Sequence, residues 1–97
     1  MILAIDVGNT NTVMGLLKQH TVFETFRIST KSRTTDELGM LLLSILGHRG
    51  VRPEDIEGAI ISSVVPSVLY GLEKACRRYL NVTALVVGRK CLSLIHI

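Results

Sequence analysis

Seven residues, Asp6-Val7-Gly8-Asn9-Thr10-Asn11-Thr12, stand between two apolar runs, Met1-Ile2-Leu3-Ala4-Ile5 and Val13-Met14-Gly15-Leu16-Leu17. Apolar run, polar interruption, apolar run reads as strand, tight turn, strand, and it commits the chain to begin with a β-hairpin. Gly8 takes φ > 0 without steric cost, and Asn tolerates that region better than most residues. A turn of this composition turns backbone N–H groups outward, where they can receive an anion such as a phosphate. Asp6 sharpens the point. A carboxylate placed directly after five apolar residues costs free energy unless it has a partner, and at a strand end it can hold a metal ion directly or through water. Two readings stay open on these residues alone: a nucleotide-phosphate cradle, or an ordinary hairpin turn drawing on the same Gly and Asn.

The pattern continues along the chain. Residues 12–18 read as a second strand, Lys18-Gln19-His20-Thr21 as a short polar turn, and residues 22–28 as a third strand rich in β-branched and aromatic residues. A polar, basic loop follows, ending in Thr34-Thr35-Asp36-Glu37, a capping box with Thr34 as N-cap and Glu37 at the third helical position. Leu38, Leu41, Leu42, Ile45 and Leu46 then form one apolar helical stripe, with Gly47 and Gly50 offering the stop and Pro53 beyond it. Residues 56–64, continuously apolar at Ala59-Ile60-Ile61, suit a strand covered on both faces in a parallel sheet. Pro66 opens a second helix on which Leu69, Leu72, Cys76 and Tyr79 share a face, so Cys76 reads as a small core residue. Residues 83–87 make a fifth strand, closed by Gly88. The order β-β-β-α-β-α-β implies an antiparallel meander, two right-handed crossovers, and an α/β fold with helices packed on a mixed sheet.

At 97 residues with 47% apolar content, the chain carries more apolar surface than a small free-standing domain can hide. The expectation is an apolar face meant for a second half or a second subunit. Eleven Lys and Arg against eight Asp and Glu suit a small anionic ligand. Nucleic acid is not expected: Lys31, Arg33, Arg77, Arg78, Arg89 and Lys90 are scattered, and two Tyr, two Phe and no Trp give little stacking surface. Cys76 and Cys91 form no CxxC, and neither His nor Cys clusters at metal-ligand spacing, which suits a reduced intracellular setting. The opening apolar run is too short for a signal peptide and no run approaches bilayer length, so no membrane association is expected.

Four blocks, taken together, resemble type III pantothenate kinases. They are Ala4-Ile5-Asp6-Val7-Gly8-Asn9-Thr10-Asn11-Thr12, Arg27-Ile28-Ser29-Thr30, Thr35-Asp36-Glu37-Leu38 and Ile61-Ser62-Ser63-Val64-Val65-Pro66. The resemblance runs in register from residue 1 to about Gly88. It implies the ribonuclease-H-like, actin-like ATPase half-fold shared with acetate kinase, sugar kinases and the heat-shock chaperone ATPases. It further implies ATP-dependent phosphorylation of pantothenate, the first step of coenzyme A synthesis, with Mg²⁺ and a monovalent cation (K⁺ or NH₄⁺), in a cytoplasmic homodimer. By the same resemblance Asp6, Val7, Gly8, Asn9, Thr10, Asn11, Thr12 and Val13 are the ATP-binding segment, and Asp6 orients Mg²⁺ through water. Arg27 receives no role from it. Ser62 and Ser63 fall at the carboxyl end of a parallel strand, where α/β sheets place ligands, or else satisfy backbone near a turn.

After Gly88 the family pattern is expected to pass through a Pro-Gly turn to a Gly-Ala-Asp-Arg block, whose Asp is the general base and which supplies much of pantothenate recognition. An Asp-x-Gly-Thr block then completes the nucleotide site. Arg89-Lys90-Cys91-Leu92-Ser93-Leu94-Ile95-His96-Ile97 matches none of this. The expectation is therefore a truncated amino-terminal nucleotide-binding domain over residues 1–88, a tail over 89–97 that departs from the family pattern and is either spurious or shifted, no catalytic residue within the chain, and no turnover by it alone. Two further readings accompany the kinase: a non-catalytic ATP-binding regulator of the same family, and another small-molecule kinase of the superfamily.

Overall fold

In the computed structural model, which describes residues 1–88, β1 (Ile2–Val7) is the middle strand of a five-stranded mixed sheet. β2 (Asn11–Lys18) and β3 (Thr21–Ser29) extend it antiparallel on one side, and β4 (Gly58–Ser63) and β5 (Ala84–Val86) extend it parallel on the other. The strand order is β3-β2-β1-β4-β5. The crossovers are α1 (Thr35–His48) and α2 (Pro66–Ala75), so the observed element order is the expected one. Residues 89–97, read from sequence as a departing tail, lie outside the described residues, and so do Cys91 and His96.

β1 takes the centre because it is the strand with apolar side chains on both faces: Leu3, Ala4 and Ile5 are each at most 2% exposed. Its alternate residues Leu3, Ile5 and Val7 join Met14 and Leu16 of β2 and Ala59 and Ile61 of β4 in one core beneath both helices. From above, Leu38, Leu42 and Leu46 come from α1, and Leu72, Ala75 and Cys76 from α2. Burying such a side chain fully is worth about 1.5–3 kcal/mol, so these rows dominate the stability of the layer. In β3 Phe26 and Ile28 pack against this core, which sends Arg27 to the other side of the sheet. No described helix packs on that opposite face.

α1 begins and ends as its sequence dictates. The capping box is formed in both directions, Thr34 Oγ1 accepting from the Glu37 N–H at 3.1 Å and Glu37 Oε1 from the Thr34 N–H at 2.8 Å. The bond from the Thr34 N–H, first among the causes, holds the Glu37 carboxyl below its ordinary pKa. Of the two glycines offering a stop, Gly50 serves. At φ +70 it follows the C-cap Arg49, its N–H reaches the Gly47 carbonyl at 3.1 Å, and the Val51 N–H reaches back to Leu46 at 2.9 Å. This is a Schellman ending, sealed by the buried pair Leu46 and Val51.

α2 departs from the simple periodic reading. The α-helix stops at Ala75 and gives way to a π-helical turn, Cys76–Leu80, closed by Asn81 at φ 58. The wider turn carries Leu80 into the core, 4% exposed, where the periodicity had placed Tyr79. Tyr79 instead lies over Gly39 of α1, where any added Cβ would run into the ring. The Tyr79 hydroxyl and Arg78 Nη1 (3.0 Å) both donate to Asp36 Oδ1, and these bonds, Tyr79's first, hold the Asp36 carboxyl below its usual range. Cys76 is fully buried, and burial pushes its thiol up to about 11, as befits a core residue. β5 is shorter at both ends than residues 83–87.

Candidate functional site

β1 delivers Asp6 and Val7 to the end of the sheet, and the hairpin closes at once: Val7 pairs with Thr12, and the Gly8 N–H donates to the Asn11 carbonyl at 2.9 Å. Asn9 and Thr10 form the exposed tip, and Asn11 already belongs to β2, paired with Ser29 of β3. Just past β3, Thr30 ties the turn down. Its N–H donates to the Thr10 carbonyl at 2.8 Å, and its Oγ1 lies 2.8 Å from Thr12 Oγ1. The Thr12 hydroxyl is thus buried, at 2% exposure, and engaged within the protein.

The backbone here is ordinary. Among the described residues positive φ occurs at Gln19, His20, Gly50 and Asn81, and not in the 8–11 turn. The left-handed conformation that Gly8 and the Asn residues could supply is not used. The twist that such residues lend a free hairpin is imposed here by the neighbours, β4 along β1 and β3 along β2.

The pleat sorts the site residues by face. Val7, Thr12 and Ile28 form one cross-strand row on the helix side. Ser62, Asp6, Val13 and Arg27 form the adjacent row on the opposite side, each in register with the next. Asp6 and Arg27 therefore face the same way, about 10 Å apart across two inter-strand gaps. Arg27 is exposed and forms no ion pair among the described residues. A register row of this kind cannot be read from sequence spacing, because it depends on how three strands align.

β4 ends at the same edge. The Val64 N–H donates to the Val7 carbonyl at 3.1 Å, seating the β4–α2 connection against the end of β1. Ser63 Oγ donates to the Val65 carbonyl and accepts from the Val65 N–H, both at 2.9 Å, so Ser63 serves the backbone of that turn. Ser62, 2% exposed, sits beside Asp6. α2 starts two residues after Val64 with Pro66, which has no N–H, and the Val68 and Leu69 N–H groups both bond the Val65 carbonyl at 3.1 Å.

Among the described residues there is no cluster of three or more His, Cys, Asp or Glu able to cage a metal ion. A single carboxylate at a strand end fits a different case. Mg²⁺ keeps several waters and is held by one or two carboxylates together with substrate phosphates, and a carboxylate placed as Asp6 is would suit that role. The turn itself is an open shelf, with residues 9–11 exposed. Cavities of about 570 and 330 Å³ lie elsewhere, one by Ile2, Leu17 and Ile60 at the far end of the sheet, the other by Tyr70, Lys74 and Arg77 on α2 and its π turn. No described helix is long and apolar enough to cross a membrane.

Comparison with known proteins agrees with this architecture. Solved structures share the fold at low identity. A Bacteroides thetaiotaomicron protein with an actin-like ATPase fold superposes with a TM-score of 0.68 at 8% identity, over 99% of this chain and 37% of that one. Thermus thermophilus RuvC bound to a Holliday junction gives 0.64 at 12% identity, over 96% and 67%. At such identities the likeness speaks for the fold alone. Sequence relatives are far nearer. Type III pantothenate kinases of Exiguobacterium sp. and Halalkalibacterium halodurans are 51% and 44% identical over 89 residues, which is 91% of this chain and 35% of theirs. That of Listeria innocua is 46% identical over the same length, 34% of its own. The chain thus spans about a third of the curated relatives it matches. The family pattern described as type III pantothenate kinase matches residues 2–96, and the chain belongs to that family.

Proposed function

We propose that this chain is the ATP-binding part of a kinase that phosphorylates pantothenate, with residues 6–13 as its nucleotide segment. The observation that carries the reading is the ordinary backbone of the 8–11 turn. Gly and Asn would be expected there if the hairpin needed positive φ, yet none is used, so the composition answers to something other than turn geometry. An anion approaching close to the backbone accounts for it. Asp6 faces away from the helices, next to Ser62 and in a row with Arg27, which puts a carboxylate and a cation on one side of the shelf.

Asp6 holds Mg²⁺ in this reading, most simply through water, and the ion when bound neutralises phosphate charge. The protein's own groups do the remaining work on the nucleotide: backbone N–H groups of the exposed tip, residues 9–11, orient the phosphates, and Arg27 adds positive charge on the Asp6 side. A monovalent cation, pantothenate recognition, homodimer formation and a cytoplasmic setting belong to the same proposal, carried by family membership and assigned to no residue here. Phosphoryl transfer to an alcohol also needs a base at the hydroxyl, and none of residues 6–13 is assigned that role. In this proposal no residue of the chain serves as that base, and the 97-residue chain binds nucleotide without turning over pantothenate.

Titration of MgATP into the purified chain tests this. Asp6→Asn is expected to weaken binding by about tenfold or more, the scale of one charge-assisted contact, while the wild type shows no pantothenate-dependent ADP release. Equal affinity of wild type and Asp6→Asn, or measurable turnover by the wild type, would overturn the proposal.

A further inference from the structure

We infer that Thr30 is the positioning residue of the nucleotide turn, an inference that rests on the nucleotide reading of residues 6–13. Thr30 lies one residue beyond β3 (Thr21–Ser29), in sequence far from the turn it touches. It makes two contacts there, one to the tip and one to the base: its N–H bonds the Thr10 carbonyl, and its hydroxyl bonds the Thr12 hydroxyl, both at 2.8 Å.

The first contact sets a direction. In a planar trans peptide the carbonyl of one residue and the N–H of the next point opposite ways. Drawing the Thr10 carbonyl toward β3 therefore turns the Asn11 N–H away from β3 and toward the inside of the turn, beside Gly8. In the nucleotide reading that N–H is the donor offered to a phosphate. The second contact fixes where β2 starts. Thr12 is 2% exposed, so water does not readily replace Thr30 as its partner, and loss of the Thr30 hydroxyl strands a buried polar group. Thr30 thus holds the tip and the base of the turn at a fixed separation, without itself being assigned a ligand contact.

Two variants separate this role from general support of the fold. Thr30→Val keeps the volume and the backbone N–H but removes the hydroxyl; Thr30→Ser keeps the hydroxyl. Amide hydrogen exchange in the 97-residue chain is expected to quicken about tenfold at residues 8–12 in Thr30→Val, the scale of one buried hydrogen bond, with the Gln19-His20 turn unchanged. Thr30→Ser restores slow exchange, and MgATP affinity follows the same order across the three proteins. Unchanged exchange at residues 8–12, loosening spread equally over β2 and β3, or MgATP affinity equal in all three proteins would overturn the inference. A wild type that binds no MgATP strikes at the nucleotide reading, and it is told apart because it shows before any Thr30 variant is made.

Discussion

The meander β1-β2-β3 has two turns, and they are built in opposite ways. The one between β2 and β3 places Gln19 at φ 53 and His20 at φ 65 between the paired residues Lys18 and Thr21. That is the geometry of a two-residue hairpin loop, which favours Asn-Gly, and here it is made from residues ill suited to it. The one between β1 and β2 contains Gly8, Asn9 and Asn11, well suited to positive φ, and uses none of it. One turn has the shape without the expected residues, and the other has the residues without the shape. The difference teaches that turn composition reports a backbone requirement only where nothing else competes for the residues. At Gln19 and His20 the strain is local and simply tolerated. In the 8–11 turn the shape is set from outside, by Thr30 and the flanking strands, and the proposed nucleotide is what the small and polar side chains would serve.

The largest effect on stability is expected where the site turn is anchored. Thr12→Val leaves the half-buried Thr30 hydroxyl facing an apolar group and should destabilise the chain by about 1 kcal/mol or more in chemical denaturation. Thr12→Val combined with Thr30→Val should cost less than the two singles added, with a coupling of about 0.5 kcal/mol or more, because the second change removes the stranded partner of the first. Additive costs would mean that the hydroxyl pair does not anchor the turn, and the contrast between the two turns would lose its physical basis.

Much of the fold was legible in the sequence for a plain reason: its signals are local. The capping box at Thr34 and Glu37, the leucine stripe of α1, the apolar centre of β4 and Pro66 at the first position of α2 each act within a few residues. What escaped depends on contacts between distant segments. The π turn at Cys76–Leu80 answers to the packing of Tyr79 over Gly39 and of Leu80 in the core, which no periodicity encodes. The site divides in the same manner. Asp6 and its turn stood out as a polar break between apolar runs, whereas Thr30 and the row joining Ser62, Asp6, Val13 and Arg27 exist only once the strands are in register. Thr30 was visible as part of a block resembling a family, but nothing in that block announced its contacts with Thr10 and Thr12.

A smaller change, of opposite sign, is expected at the other turn. His20→Gly removes a non-glycine residue from the left-handed region and should stabilise the chain by up to about 1 kcal/mol, partly offset by the greater freedom of glycine in the unfolded state. MgATP affinity should stay within about twofold of wild type, a difference of less than 0.5 kcal/mol. A larger shift would tie the two turns together and break the comparison.

The smallest stability change, and the sharpest discrimination, is expected for Asn9→Ala at the exposed tip. Asn9 makes no side-chain hydrogen bond among the described residues, and its φ is not positive, so alanine fits the backbone and thermal or chemical unfolding should move by no more than about 0.5 kcal/mol. If the carboxamide is there for the shape of the hairpin, MgATP binding should be equally indifferent to the change. If it is there for the ligand, affinity should fall severalfold, up to about tenfold for one lost hydrogen bond, in a protein as stable as the wild type. Loss of affinity without loss of stability is the combination that an ordinary hairpin turn cannot produce.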